Sequence, residues 1–388
     1  MADQPLFPLE AFYHTPDITH VCAAGESLPL RAHSAAFAKY TEDKASGHTS
    51  ARAKTQTVED VRAGIALAWN AASANEIGFA PSVADGVSLI VESLHWDEGD
   101  NVVVDPDDFP SLIAPFVIKR NALRERVGGT AAGPEVRYAG VDDLEGAVDA
   151  RTRVIVISYV SYLNAARVDL ALYRKVADQV GAILIVDYSQ AAGWAVIDAT
   201  IADFAFSCCH KWLLGGTGTA IAYWNQTRQP GWRPATAGSH ALASLPAGQP
   251  RHQWEAETPR LRDDAMVFSR GNPAHVSIYL LREGLEFLAR WDTVRIQTHV
   301  QILTTSLRSA LEREGIPSST PSEKQRHGAS VTVHCRGASD IVDEMRNLGV
   351  YAWNGNGRVR FSFHGYSCRA DVERIMEVFP GLWGRYNG

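Results

Sequence analysis

The chain has 388 residues, 46% of them hydrophobic, and a formal net charge of -7, which is enough apolar material for a large core and two domains. No cluster of Lys and Arg breaks the acidic balance, so no nucleic-acid partner is expected. Five cysteines (Cys22, Cys208, Cys209, Cys335, Cys368) form no CxxC pair or ligand-spaced set, the N-terminal MADQPLFPLEAFYH lacks the features of a signal peptide, and runs such as RVIVISYV are too short for a bilayer; a cytoplasmic protein with no membrane segment and no metal site is expected.

The elements follow in chain order. TVEDVRAGIALAWNAA, with Thr57 three residues before Asp60, predicts a capped helix. Strand candidates come next: EIGFA, NVVVD, RVIVISYV, AILIVD, DFAFS and TAIAYW. The helical patterns ADGVSLIVESLH and DLALYRKVADQVG lie among the first four. Apolar strands alternating with helices predict a mostly parallel sheet covered on both faces. Residues 228–264, rich in Pro, Gly and Arg, read as an exposed connection. Helices at about 274–290 and 293–314, the strand ASVTVHC, a helix around DIVDEMRNLG, the strand RVRFSF and a helix near 370–379 then predict a smaller α+β unit. The expected division is an N-terminal arm over 1–20, a large domain over 21–255 and a small domain over 256–388.

AILIVD ends in Asp187, and DFAFS leads to Lys211. Ligands of parallel α/β sheets bind beyond the carboxyl ends of the strands, so this Asp and Lys can face one crevice. A desolvated amine forms a Schiff base with an aldehyde, and a nearby carboxylate keeps a pyridine nitrogen protonated. Those are the requirements of pyridoxal 5'-phosphate. The adjacent Cys208 and Cys209 read as packing residues. GGTGTA lies after the lysine and not after a leading strand, so it is a poor dinucleotide fingerprint.

VDYSQAAG, DFAFSCCHKWLLGGTGTAIAYW and RVRFSFHGYSCRADVERIM together resemble the class V aminotransferase family of fold type I pyridoxal phosphate enzymes, over roughly residues 55–380. The resemblance implies an α/β large domain with a mostly parallel seven-stranded sheet and a smaller α+β C-terminal domain. It implies that Lys211 is the catalytic Schiff-base lysine and proton shuttle, that Asp187 pairs with the pyridine nitrogen, and that Gln190 hydrogen-bonds the cofactor's phenolic oxygen. Phe109 would stack on the ring. Val83 and Ala84 would offer backbone N–H groups to the phosphate, with His210 as a further phosphate ligand and Ser158 as another cofactor contact. Asn272 would reach the phosphate of the neighbouring subunit of a homodimer, and Arg360 would hold the carboxylate of an amino-acid substrate. DPDDFPSLIAPF, DFAFSCCHKW and FSRGNPA give the chain a kynureninase-like flavour; isopenicillin N epimerase-like proteins and cysteine desulfurases belong to the same group.

The family's cysteine desulfurases carry a nucleophilic Cys shortly before the carboxylate-binding Arg, where this chain has the short, cysteine-free NLGVYAWNGNGRVRF. Kynureninases carry a Trp near the interface, where PATAGSHAL keeps His240 alone, and a Tyr where His210 stands. The expected function is a lyase or hydrolase acting at Cβ of an α-amino acid, kynureninase-like or C–S lyase-like, with Lys211 removing the α-proton. An aminotransferase is the alternative, and an epimerase or a non-catalytic cofactor-binding protein comes behind it. Tyr40 and His48 read equally as pocket or surface residues.

Overall fold

The computed structural model describes residues 2–127, 133–243 and 259–387. In chain order it contains β1 (Thr19–His20), α1 (Ala32–Ala45), α2 (Ser50–Ala68), β2 (Ile77–Ala80), α3 (Val83–Ser93), β3 (Asn101–Val104), α4 (Pro110–Val127), β4 (Glu135–Tyr138) and the short α5 (Leu144–Ala147). Then come β5 (Thr152–Ser158), α6 (Leu170–Val180), β6 (Ile183–Asp187), β7 (Phe204–Cys208) and β8 (Ala220–Trp224). The strands β2 to β8 form one seven-stranded sheet in the order β2-β8-β7-β6-β5-β3-β4. Only β8 runs antiparallel to its neighbours, so the expected mostly parallel sheet is observed.

The continuous apolar runs are explained by burial on both faces. Within β5, Val154 and Val156 enter one core layer while Ile155 and Ile157 enter the other. Helix α6 starts where the Asp169 carboxylate accepts the Ala171 N–H and stops at Gly181 with φ +70°. Helix α2 differs from expectation: it begins at Ser50, and Thr57 lies within it, donating back to the Ala53 carbonyl. The first two turns, SARAKTQ, consist largely of good helix formers but carry no apolar stripe to announce them.

The C-terminal part contains α7 (His275–Leu288), α8 (Thr293–Arg313), β9 (Ser330–His334), α9 (Ala338–Asn347), β10 (Val350–Tyr351), β11 (Trp353–Gly355), β12 (Arg358–Ser362) and α10 (Arg369–Asn387). An antiparallel sheet, β11-β12-β9, shares a core with α8, α9 and α10 through Leu303, Leu307, Val331, Phe361, Ile375 and Phe379. The N-terminal segment packs on the C-terminal part: β1 pairs with β10, and the Phe7 N–H donates to the Gly365 carbonyl. Helix α7 sends Ile278 and Leu281 into the large-domain core. The expected boundary at 255/256 lies outside the described residues. Among the described residues, no helix is long and apolar enough to cross a membrane.

Candidate active site

Strands β5 and β6 end in register, with Ser158 beside Asp187, and Asp187 pairs with Phe206, two residues before the end of β7. Asp187 is fully buried, which raises its pKa; a hydrogen bond from Ser189 and the charge of Lys211 oppose that rise. The turn after β6 folds tightly onto the Lys211 loop. At Gly193, with φ +110°, a Cβ would lie 2.1 Å from the Trp212 carbonyl oxygen, so a side chain there would force the two loops apart. Gln190 ties the loops together: its Oε1 accepts from the Trp212 indole at 3.0 Å, and its Nε2 donates to the Ala24 carbonyl at 3.1 Å.

Lys211 is half-buried and forms no salt bridge among the described residues. Its Nζ lies 5.9 Å from the centre of the Phe109 ring. Cys209 is core, as expected of a packing residue. Cys208 is half-buried, its N–H donating to the Ser189 hydroxyl at 3.0 Å, and burial pushes its thiol pKa up against the charge of nearby Lys211. Two adjacent cysteines do not announce this in sequence, because alternate strand residues face opposite sides and only one of the pair turns toward the lysine.

Helix α3 points its N-terminus at the same strand ends. The Ser82 Oγ accepts the Asp85 N–H at 3.1 Å, and the N–H groups of Val83 and Ala84 find no acceptor among the described residues. Gly86 brings the helix close, since a Cβ there would stand 2.2 Å from the Phe206 ring. The resulting cluster of N–H groups, at the positive end of the helix dipole, suits a phosphate. His210 adjoins Lys211; burial and the lysine's charge lower its pKa and favour the neutral ring.

Ser158 reaches the strand end, but its hydroxyl (2.5 Å) and N–H (2.7 Å) both donate to Asp108. Asp108 is itself buried, with its pKa pushed up to about 6 by desolvation, and its carboxylate also accepts the Phe109 N–H. Ser158 therefore acts through Asp108 to hold the segment carrying Phe109. Asn272 stands exposed in the loop before α7 with no hydrogen bond from its side chain among the described residues. Of the undecided pair, Tyr40 packs edge-on against Tyr279 and His48 is exposed.

Arg360 lies on β12, 3% exposed. Its Nη1 donates to the Tyr162 carbonyl at 2.8 Å, its guanidinium centre sits 4.2 Å from the Trp353 ring centre, and its Nε is buried without a partner. Burial lowers its pKa to about 10. The Tyr162 ring meets Phe109 edge-on at 5.1 Å, and its hydroxyl accepts from the Asn356 side chain at 3.3 Å. Tyr162 and Trp353 escaped sequence reading. A usable signal existed for Trp353: Asn356 and Gly357 form a two-residue turn with positive φ, which sets Trp353 opposite Arg360 across the hairpin. The thiol of Cys22 also lies within electrostatic reach of Arg360, yet burial outweighs that cation and raises its pKa.

The residues present fit pyridoxal phosphate. They supply an amine without a counter-ion, a buried carboxyl within its electrostatic reach, a helix N-terminus with free N–H groups, and an aromatic ring over the amine. The profile of the class V aminotransferases matches residues 23–375, and the chain belongs to that family; it is a pyridoxal phosphate-dependent enzyme. It is similar to a probable cysteine desulfurase of Methanothermobacter thermautotrophicus, at 26% identity over 92% of this chain and 92% of that protein. An uncharacterized aminotransferase of Schizosaccharomyces pombe is also 26% identical, over 83% of this chain and 81% of its own length. Among solved structures, the apo cysteine desulfurase of Thermococcus onnurineus superposes with a TM-score of 0.84 at 20% identity, over 97% of both chains. The cystine C–S lyase C-DES, in complex with its product cysteine persulfide, superposes with a TM-score of 0.82 at 17% identity, over 94% of this chain and 98% of that one. These structures share the fold type I architecture.

Proposed function

We propose that this enzyme is a lyase acting at Cβ of an α-amino acid, with a carbon–sulfur bond as the bond broken. One observation carries the reading: the Arg360 hairpin ends in a tight Asn356–Gly357 turn and bears no thiol, while its guanidinium keeps a buried, unpartnered Nε. A carboxylate-bearing substrate is bound there without a protein nucleophile placed on the hairpin to receive its sulfur. The similarity to proteins named as cysteine desulfurases and a cystine C–S lyase supports the sulfur chemistry. The kynureninase-like segments support Cβ as the position and leave C–C cleavage as a variant of the same reading.

When bound, pyridoxal phosphate supplies an electron sink for the carbanion at Cα. The chain does the rest. Arg360 holds the α-carboxylate in a fork, and the Nζ of Lys211 takes the proton from Cα. Asp187, buried beside it, offers the compensating negative charge at the strand end. Val83, Ala84 and His210 hold the phosphate, Gln190 reaches the phenolic oxygen with its remaining N–H, and Phe109 covers the ring. Asn272, exposed in its loop, reaches the neighbouring subunit's phosphate in a homodimer. The five unpaired cysteines support a reducing, cytoplasmic setting.

Incubating the pure cofactor-loaded protein with single L-amino acids tests the reading. A keto acid, ammonia and the released side-chain group should form in equal amounts without added keto acid. A strict requirement for a second keto acid, with the cofactor converted to its amine form, would overturn it in favour of an aminotransferase. Lys211→Ala should lose both turnover and the visible absorbance of the lysine-bound cofactor; an unchanged spectrum would remove Lys211 from its role.

A further inference from the structure

Trp353 and Arg360 are cross-strand neighbours in the β11–β12 hairpin, so their side chains rise from one face of the ladder. Gly355 lies two residues along on that face. A Cβ there would stand 2.1 Å from the Trp353 ring, so the missing side chain is what lets the indole lie along the strand. The guanidinium centre of Arg360 then rests 4.2 Å from the ring centre. A cation over Trp at a desolvated site contributes about 2 kcal/mol.

The other restraint comes from the large domain, where the Tyr162 carbonyl accepts from Nη1 at 2.8 Å. With one face on the indole and one nitrogen tied, the guanidinium is fixed in plane and in rotation. The edge that carries the buried Nε has no partner among the described residues. That edge is the one a carboxylate grips with two parallel hydrogen bonds. Tyr162 packs on Phe109, whose ring lies 5.9 Å from the Lys211 amine. The carboxylate anchor and the proton-abstracting amine therefore belong to one connected series of contacts.

We propose that Trp353 is the positioning residue of the carboxylate subsite. By stacking against Arg360 it presents the Nε edge of the guanidinium, desolvated and aligned, to the α-carboxylate of an amino acid, and so fixes where Cα arrives relative to Lys211. The proposal rests on Arg360 as the carboxylate anchor and holds whichever bond of the substrate is broken. Without the indole the arginine keeps its charge but regains rotamers that must be frozen on binding.

The test compares ligands with and without the carboxylate. In cofactor-loaded wild type, Trp353→Ala, Trp353→Phe and Trp353→Leu, the dissociation constants of an L-amino acid and of the amine with the same side chain are read from the visible absorbance change. Trp353→Ala should weaken the amino acid about 10- to 30-fold, the equivalent of about 2 kcal/mol, and leave the amine unchanged. KM should follow the dissociation constant. Trp353→Phe should recover to within about 3-fold, since a smaller ring still stacks, whereas Trp353→Leu should not. Equal weakening of amino acid and amine, no weakening of either, or equal recovery by Phe and Leu would each overturn the proposal. Should the alanine variant not fold, the Phe and Leu variants carry the comparison. If wild type itself bound the two ligands equally, the anchor role of Arg360 would fail, a result separate from the failure of Trp353 alone.

Discussion

Replacing Arg360 with Met is expected to leave the ligand-free enzyme about as stable as wild type while removing its grip on amino acids. Burial pulls the guanidinium from an ordinary 12.5 down to about 10, a penalty of about 3 kcal/mol at 1.36 kcal/mol per pH unit. Methionine keeps the apolar stem against Trp353 and sheds that penalty. It loses the cation–π contact, about 2 kcal/mol, and the hydrogen bond to the Tyr162 carbonyl, about 1 kcal/mol. The terms offset one another, so the ligand-free thermal midpoint should stay within about 2 °C of wild type. The lost bidentate pairing should weaken amino-acid binding by roughly 100-fold or more. Thermal unfolding of the cofactor-loaded proteins, with and without amino acid, reads both effects. Ligand at about 100 times its dissociation constant stabilises wild type by about 2.7 kcal/mol, so the two proteins should unfold together without ligand and wild type higher with it. A ligand-free variant less stable than wild type by about 3 kcal/mol or more would show that burial of the guanidinium carries no penalty for methionine to shed. Equal stabilisation of both proteins by the amino acid would show that Arg360 does not meet the carboxylate.

Burial lowers the pKa of His364 to about 3, its Nε2 lying 3.0 Å from the Trp212 carbonyl. A neutral His in the fold that charges on unfolding contributes stability that is complete above pH 6.5 and lost as pH falls; between pH 6.5 and 4 the loss is about 3 kcal/mol. His364→Gln, which keeps a donor to that carbonyl, should flatten the decline in denaturant midpoint over this window, and an unchanged slope would refute the assignment. At Gly86 an added methyl would meet the buried Phe206 ring, so Gly86→Ala should cost about 1–3 kcal/mol and weaken cofactor retention by shifting the α3 N-terminus. Gly146→Ala, with open space around the site, is the control, and equal cofactor retention in both would sink the argument.

The parallel sheet was legible because burial on both faces leaves unbroken apolar runs, as in RVIVISYV. The strand β4 was not, since its four residues, Glu135 to Tyr138, alternate at the sheet edge with only Val136 buried. The Lys211 and Asp187 pair was legible because Asp187 ends β6 and Lys211 follows β7, and neighbouring parallel strands bring their carboxyl ends together. Asp108 and Tyr162 were not, because their roles arise from contacts across 50 and 198 residues, to Ser158 and Arg360. The strand β1 was not legible for the same reason: THVC carries too few residues to announce a strand, and only its pairing with Val350 and Tyr351 reveals one.

Lys211 and Arg360 are linked through Phe109 and Tyr162: the two rings meet edge-on, the Tyr162 carbonyl accepts from Arg360, and neither Lys211 nor Arg360 forms a salt bridge among the described residues. Lys211 has the buried Asp187 within electrostatic reach. Arg360 has no such carboxylate, and its unpartnered Nε edge suits an anionic ligand. What the site lacks is a ready thiolate: Cys22 near Arg360 and Cys208 near Lys211 each have a cation at hand, yet in both burial wins and the pKa rises. A nucleophile that must first be deprotonated against its own burial is a poor acceptor for a leaving sulfur. Under the proposed lyase reading, the group expelled from Cβ is therefore better matched to departure into solvent than to capture by the protein.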